Sequence, residues 1–137
     1  RLMANSLYDL GRGHFAEGDI SWSADDIKLV LVDHGTDTPN VATDEDLADI
    51  GAGARVATSG NFASKTSTNG VLDAADITLS TVSGATVESI NIYQDTGVAG
   101  TSLLLIYIDT ATGLAFTPSG GDVIIQWDSG SNKIAKL

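Results

Sequence analysis

Apolar and polar positions alternate through much of this chain with the period of two that a half-buried strand requires, and from Arg55 onward almost every segment reads as β. The predicted strands cover 55–59, 62–68, 75–81, 86–93, 102–109, 115–117, 123–127 and 133–137. Between them lies turn chemistry: Ser59-Gly60-Asn61, Thr68-Asn69-Gly70, Ser83-Gly84, Asp95-Thr96-Gly97, Thr112-Gly113, Ser119-Gly120-Gly121 and Asp128-Ser129-Gly130. Glycine and asparagine supply the positive φ that tight turns need. Breaks at roughly ten-residue spacing point to an antiparallel sandwich or barrel. In 87–92 and 77–79 the alternation implies one dry and one wet face. Leu103 to Ile108 is apolar throughout, as expected of a central strand buried on both sides.

The first third of the chain is less regular. A short helix is predicted over 5–17, with Asn5 or Ser6 as cap. Leu7, Leu10 and Phe15 approximate one apolar stripe, with Tyr8 beside it. Gly11 and Gly13 each weaken this helix by about 1 kcal/mol relative to alanine. It therefore needs a surface to pack on, either its own sheet or a neighbouring subunit. Ile20 and Trp22 alternate with polar residues, and Ile27 to Val32 (IKLVLV) follows after Ser23-Ala24-Asp25-Asp26. This text predicts a hairpin. After the polar loop 33–40, Thr43-Asp44-Glu45-Asp46 resembles a helix start, Leu47 and Ile50 share a face, and Gly51 stops the turn. The expected architecture is mainly β: a segment 1–18 carrying the N-terminal helix or arm, then one β-rich domain over 19–137 with a helical turn near 44–50.

Composition narrows the function. The chain has 137 residues, 42 % apolar and 18 % charged, which is globular and fits one core. Seven basic residues face 18 acidic ones, a net charge of −11. That argues against nucleic acid, whose phosphates are held by lysine and arginine clusters, and against anionic membranes. No apolar run approaches the roughly 20 residues of a membrane helix. The absence of cysteine excludes disulfides, zinc–thiolate sites and iron–sulfur clusters.

Little in the sequence carries chemistry. The histidines are His14 and His34, and no serine lies in a G-x-S-x-G elbow. There is no P-loop and no dinucleotide fingerprint. Trp22 and Trp127 lie in strand patterns and read as packing residues rather than sugar platforms. Calcium is the one cation with candidate ligands, in Asp33 and Asp37 or in Asp44, Glu45 and Asp46, but their spacing is not that of an EF-hand. Solvated loops are the simpler reading, so no catalytic residue, cofactor or metal is expected.

A set of segments spread over nearly the whole chain carries a family resemblance. They are Met3-Ala4-Asn5-Ser6-Leu7-Tyr8-Asp9, Gly18-Asp19-Ile20-Ser21-Trp22 and Ile27-Lys28-Leu29-Val30-Leu31-Val32-Asp33. Later come Ile92-Tyr93-Gln94-Asp95-Thr96-Gly97, Tyr107-Ile108-Asp109-Thr110-Ala111-Thr112-Gly113-Leu114 and Asn132-Lys133-Ile134-Ala135-Lys136-Leu137. In order and spacing they resemble small structural proteins of tailed bacteriophages, often encoded near the major capsid gene. The resemblance implies a virion component without enzymatic activity, made in the host cytoplasm and placed on the capsid surface. Its expected partners are the major capsid protein and further copies of itself; a trimer would suit the local threefold positions of an icosahedral shell. A tail, neck or baseplate component, or a carbohydrate- or host-surface-binding module, are the other readings. The candidate docking residues are Leu7, Tyr8, Leu10 and Phe15; the alternative is that this helix covers the protein's own sheet.

Overall fold

Two six-residue segments, the largely apolar IKLVLV and the alternating SINIYQ, pair over their full length and form the middle of the protein. In the structure, a computed structural model, residues 5–137 are described. The elements in chain order are β1 (Ser6–Leu7), α1 (Asp9–Glu17), β2 (Ile27–Val32), a 3-10 turn at Leu47–Asp49, β3 (Arg55–Thr58), β4 (Val71–Leu72), β5 (Ile77–Leu79), β6 (Ser89–Gln94), β7 (Leu104–Ile108), β8 (Val123–Ile125) and β9 (Ala135–Lys136). Five of these strands form an antiparallel sheet in the order β1-β7-β6-β2-β3. It has two edges, so it is an open sheet and not a barrel. Two small antiparallel ladders, β4–β9 and β5–β8, complete the β structure. The expectation of a mainly β fold with an N-terminal helix and a short helical turn near 44–50 holds, and further 3-10 turns lie at Ala52–Ala54, Thr68–Gly70 and Ala99–Thr101.

Both faces of the sheet are covered. On one face Ile27, Leu29, Leu31, Ile90, Ile92, Ile106 and Ile108 pack against Trp22, Phe62, Leu72, Leu79, Val82 and Ile125, which come from loops and from the small ladders. On the other face Val30, Val32, Tyr93, Leu104 and Tyr107 pack against Tyr8, Val41, Leu47, Ile50 and Ala54. Burial on both sides explains why β2 and β7 are apolar in consecutive positions rather than alternating.

This double cover overturns the expected wet face of 87–92. Ser89 and Asn91 point away from Ile90 and Ile92 as the strand period demands, yet both are fully buried. The segment 33–54 lies over them and hydrogen bonds replace water, which offsets the cost of burying polar groups.

The N-terminal helix begins later than its pattern predicts, at Asp9, because the preceding residues are drawn into the sheet. Ser6 and Leu7 pair with Tyr107 and Ile106. Asn5 is not a helix cap: its Oδ1 accepts from the main-chain N–H groups of Asp109 and Thr110, both at 3.0 Å. The Ncap position falls to Tyr8, with no side-chain cap, and Gly18 closes the helix at φ 80°. The helix packs against β7 of its own sheet, and the first four residues of the segment 1–18 lie outside the described ones. Tyr8 is wholly buried and its N–H donates to the Leu105 carbonyl at 2.9 Å.

The predicted hairpin through Ile20 and Trp22 does not form. Asp25 folds back on Ser21, with its N–H donating to the Ser21 carbonyl and its Oδ2 accepting from the Ser21 N–H. A closed turn results, and β2 pairs with β6 and β3 instead. The predicted strands at 62–68 and 115–117 shrink to single bridges, Thr66 with Asp73 and Phe116 with Val87. Ser64, at φ 54°, interrupts the first. The turn near 44–50 is present as Leu47–Asp49, with Asp46 capping and Asp49 answering it.

Candidate functional site

Three arrangements contain chemistry-bearing or exposed apolar side chains. The first is a polar string under the segment 33–54. Tyr8 Oη donates to Asn91 Oδ1, Asn91 Nδ2 donates to Ser89 Oγ at 2.9 Å, and Ser89 Oγ is 2.7 Å from His34 Nε2. The His34 ring stacks on Tyr107 with centroids 6.2 Å apart and planes 17° from parallel. Tyr107 Oη in turn donates to Asp109 at 3.2 Å. Burial raises the Tyr8 phenol well above its ordinary pKa, with Asp44 and Tyr107 adding to it. Tyr107 is raised by burial first and by Asp109 second. Both therefore remain neutral donors.

A serine beside a histidine invites comparison with a nucleophile and its base. A working pair needs a third group to orient the imidazole and a route for substrate to the hydroxyl. Ser89 is fully buried. Among the described residues no carboxylate bonds the His34 ring; Glu88 accepts from the His34 main-chain N–H instead, at 3.0 Å. In this geometry the string ties β6 to Tyr8 at the start of α1 and to the loop after β2. Ser89 and Asn91 escape sequence reading, because they carry the signature of a solvated strand face.

The second arrangement is the set of loop acids that the sequence offers to calcium. Each is already committed to the chain. Asp33 accepts from the Gly35 N–H and the Thr36 hydroxyl, both at 2.8 Å. Asp37 accepts from the Gly51 N–H at 2.7 Å and Asp44 from the Asn40 N–H at 2.8 Å. Asp46 holds the Ala48 N–H at 3.0 Å, and Glu45 Oε1 lies 2.9 Å from His14 Nε2. Asp49, not among those candidates, holds the Glu45 N–H at 2.8 Å. Burial raises the pKa of Asp44, against the lowering effect of its bond to Asn40, and the neighbouring carboxylates of Asp49, Asp37 and Asp46 raise it further. Among the described residues no three histidine or acidic side chains are placed to hold one ion.

The third is a groove of about 490 Å³ between α1 and β9, lined by Leu7, Arg12, Phe15, Ala16, Lys136 and Leu137. Its floor is apolar and two of the chain's seven basic residues stand on its rim. Arg12 reaches Asp9 at 3.3 Å, but both side chains are more than half exposed, so the pair is weak. Leu137 is 55 % exposed. Of the four docking candidates, Leu7 and Phe15 line this groove. Tyr8 is core, so it is unavailable as a surface contact, and Leu10 is exposed outside the groove. The C-terminal contribution is invisible in the sequence, because nothing in the periodicity brings residue 137 beside residue 15.

No protein-family model matches the chain, and none of the curated proteins compared with it matches either. Among the described residues no helix is long and apolar enough to cross a membrane.

Proposed function

We propose that this chain is a non-enzymatic structural protein of a tailed-phage virion, and specifically a decoration protein that seats on the head shell as an oligomer and stabilises it. The observation that carries the reading is the groove between α1 and β9. An apolar floor with Arg12 and Lys136 at its rim, on a chain of charge −11, is suited to an apolar segment flanked by acids. A cement protein needs such a surface and no reaction chemistry. The resemblance noted above supplies the virion context. Its partners are then the major capsid protein and copies of itself.

A tail, neck or baseplate component would use the same groove and is the second reading. A carbohydrate-binding module draws less support. The Trp22 indole donates to the Asp73 carbonyl and is buried, and the Trp127 indole donates to the Ala75 carbonyl, each at 3.1 Å. Both rings are engaged with the chain itself.

Cryo-electron microscopy of purified particles tests the proposal. Density for this chain on the icosahedral shell, with the α1–β9 groove at the contact, supports it. Density confined to the tail or neck moves the chain to the second reading. Its absence from particles overturns both. On particles, Leu137→Glu is expected to lower occupancy, whereas Leu10→Glu, outside the groove, leaves it unchanged.

A further inference from the structure

His14 lies in the last turn of α1 with a carboxylate at each ring nitrogen. Nδ1 is 2.8 Å from Asp19 Oδ2 and Nε2 is 2.9 Å from Glu45 Oε1. A neutral imidazole carries one N–H and can donate to one of these acceptors only; an imidazolium donates to both. Two carboxylate oxygens at hydrogen-bond distance thus call for the charged ring. The C-terminal end of the helix, where carbonyls concentrate negative partial charge, favours the same form.

Neither acceptor owes its place to the histidine ring. The Glu45 carbonyl accepts from the Leu104 N–H at 2.9 Å, and its own N–H donates to Asp49. The Asp19 N–H donates to the His14 carbonyl at 3.0 Å. The N-terminal end of α1 is fastened separately, by the Tyr8 N–H to the Leu105 carbonyl and the Asp9 N–H to the Val41 carbonyl, at 2.9 and 3.0 Å. The C-terminal half has the His14 ring and the Phe15 packing as its side-chain anchors.

Other charged groups of the surrounding elements are engaged elsewhere. On α1 itself Arg12 holds Asp9, and Glu17 is exposed. Asp25 accepts from the Ser21 N–H and from Gln94. Asp44, Asp46 and Asp49 accept main-chain N–H groups of their own loop. On the sheet, Lys28 is paired with Asp95. Asp19 and Glu45 are the two that face the ring.

We propose that His14 is a pH-sensitive latch, held as the imidazolium between Asp19 and Glu45, that fastens the C-terminal half of α1 to the loop between β2 and β3 and opens when the ring loses its proton. The bond to Asp19 is the larger cause and that to Glu45 the next by which the ring's pKa lies above 6.5. A group whose folded pKa is raised stabilises fully below its unfolded value and loses that contribution as pH rises through the folded one. The latch is thus closed near pH 6 and opens on the alkaline side. Phe15 and Ala16, which follow the latch directly, line the α1–β9 groove, so opening loosens one wall of that groove. The latch itself does not depend on what the groove binds.

The test is a histidine NMR titration of the whole chain combined with amide hydrogen exchange, corrected for intrinsic base catalysis. His14 is expected to titrate above 6.5 with both ring nitrogens protonated at pH 6. Opening of the α1 amides from Phe15 to Gly18 is expected to rise between pH 6 and pH 9 as the ring loses its proton. His14→Gln should exchange at the open rate throughout. Glu45→Gln, which keeps the loop and removes one charge, should lower the His14 midpoint. A midpoint at or below 6.5, or equal pH dependence in wild type and His14→Gln, overturns the latch. If His14→Gln does not fold, the Glu45→Gln midpoint decides.

Discussion

Gly11 of α1 rests on the main chain of β7: a methyl group in place of its hydrogen would lie 2.5 Å from the Leu104 carbonyl oxygen and 3.3 Å from Leu105 Cα. That close approach lets the helix cover the part of the β7 edge that β1 leaves bare, since β1 pairs with Ile106 and Tyr107 only. The neighbouring Gly13 has open space around it. The same substitution should therefore act with opposite sign at the two positions. Gly13→Ala gains helix propensity and is expected to stabilise by up to about 1 kcal/mol. Gly11→Ala gains the same propensity but pushes the helix off the strand, an overpacking cost of about 1–3 kcal/mol, so it should be net destabilising. Urea melts of both variants check this; a stabilised Gly11→Ala would mean the helix is not seated on Leu104.

Tyr8 is the N-terminal segment's main contribution to the core, and its hydroxyl ends the buried string through Asn91, Ser89 and His34. Tyr8→Phe keeps the ring and leaves the Asn91 carbonyl oxygen without that donor. The expected cost is about 1–3 kcal/mol, the penalty of an orphaned buried acceptor. Removing residues through Gly18 strips out Tyr8, the β1 pairing and the cover on β7 together. The truncated chain is expected to lose its cooperative thermal transition; a sharp melt near the wild-type temperature would show instead that the segment is a dispensable arm.

These two cases mark what the sequence could and could not disclose. The central strands were legible because burial on both faces leaves a long apolar run, as in Ile27–Val32 and Leu104–Ile108. Turn glycines were legible because φ is local: Gly70, Gly84, Gly97, Gly113 and Gly120 all have positive φ. Residues whose role depends on distant partners were not. Ser89 and Asn91 read as wet because alternation reports chemistry and not cover. Ser6 and Leu7 read as helix because their pairing with β7 is specified by residues a hundred positions away. The docking stripe split for the same reason: Leu7 and Phe15 meet Leu137, Tyr8 turns into the core, and Leu10 faces solvent.

Lys28 Nζ lies 2.6 Å from Asp95 Oδ2, and both side chains are largely shielded from solvent. The bond from Lys28, with a second from the Gly97 N–H, holds the Asp95 carboxyl below its ordinary pKa. A lowered carboxylate pKa gives stability that is present above the unfolded value near 3.9 and lost as pH falls through the folded one. Asp95→Asn should therefore cost about 1 kcal/mol at pH 7, the upper range for a partly exposed pair. Its difference from wild type should narrow below pH 4, where wild type loses the same charge. Chemical denaturation at pH 7, 4 and 3 measures this; a constant difference would assign the effect of the substitution to packing rather than to the ion pair.

Calcium should leave the protein's thermal stability unchanged. A stabilising ion must find several free oxygen ligands converging on one point and must bind the folded chain better than the unfolded one. The loop acids do not offer this. Asp33, Asp37, Asp44, Asp46 and Asp49 each accept a main-chain N–H, and those bonds fasten the segment that covers Tyr8, Val30 and Tyr107. Recruiting them to an ion would break the turns they close. Melting in millimolar calcium and in chelator, at matched ionic strength so that the chain's net charge of −11 is equally screened, is expected to give superimposable curves. A calcium-specific rise absent with an equal ionic strength of sodium chloride would show that these carboxylates can leave the main chain and gather on a metal.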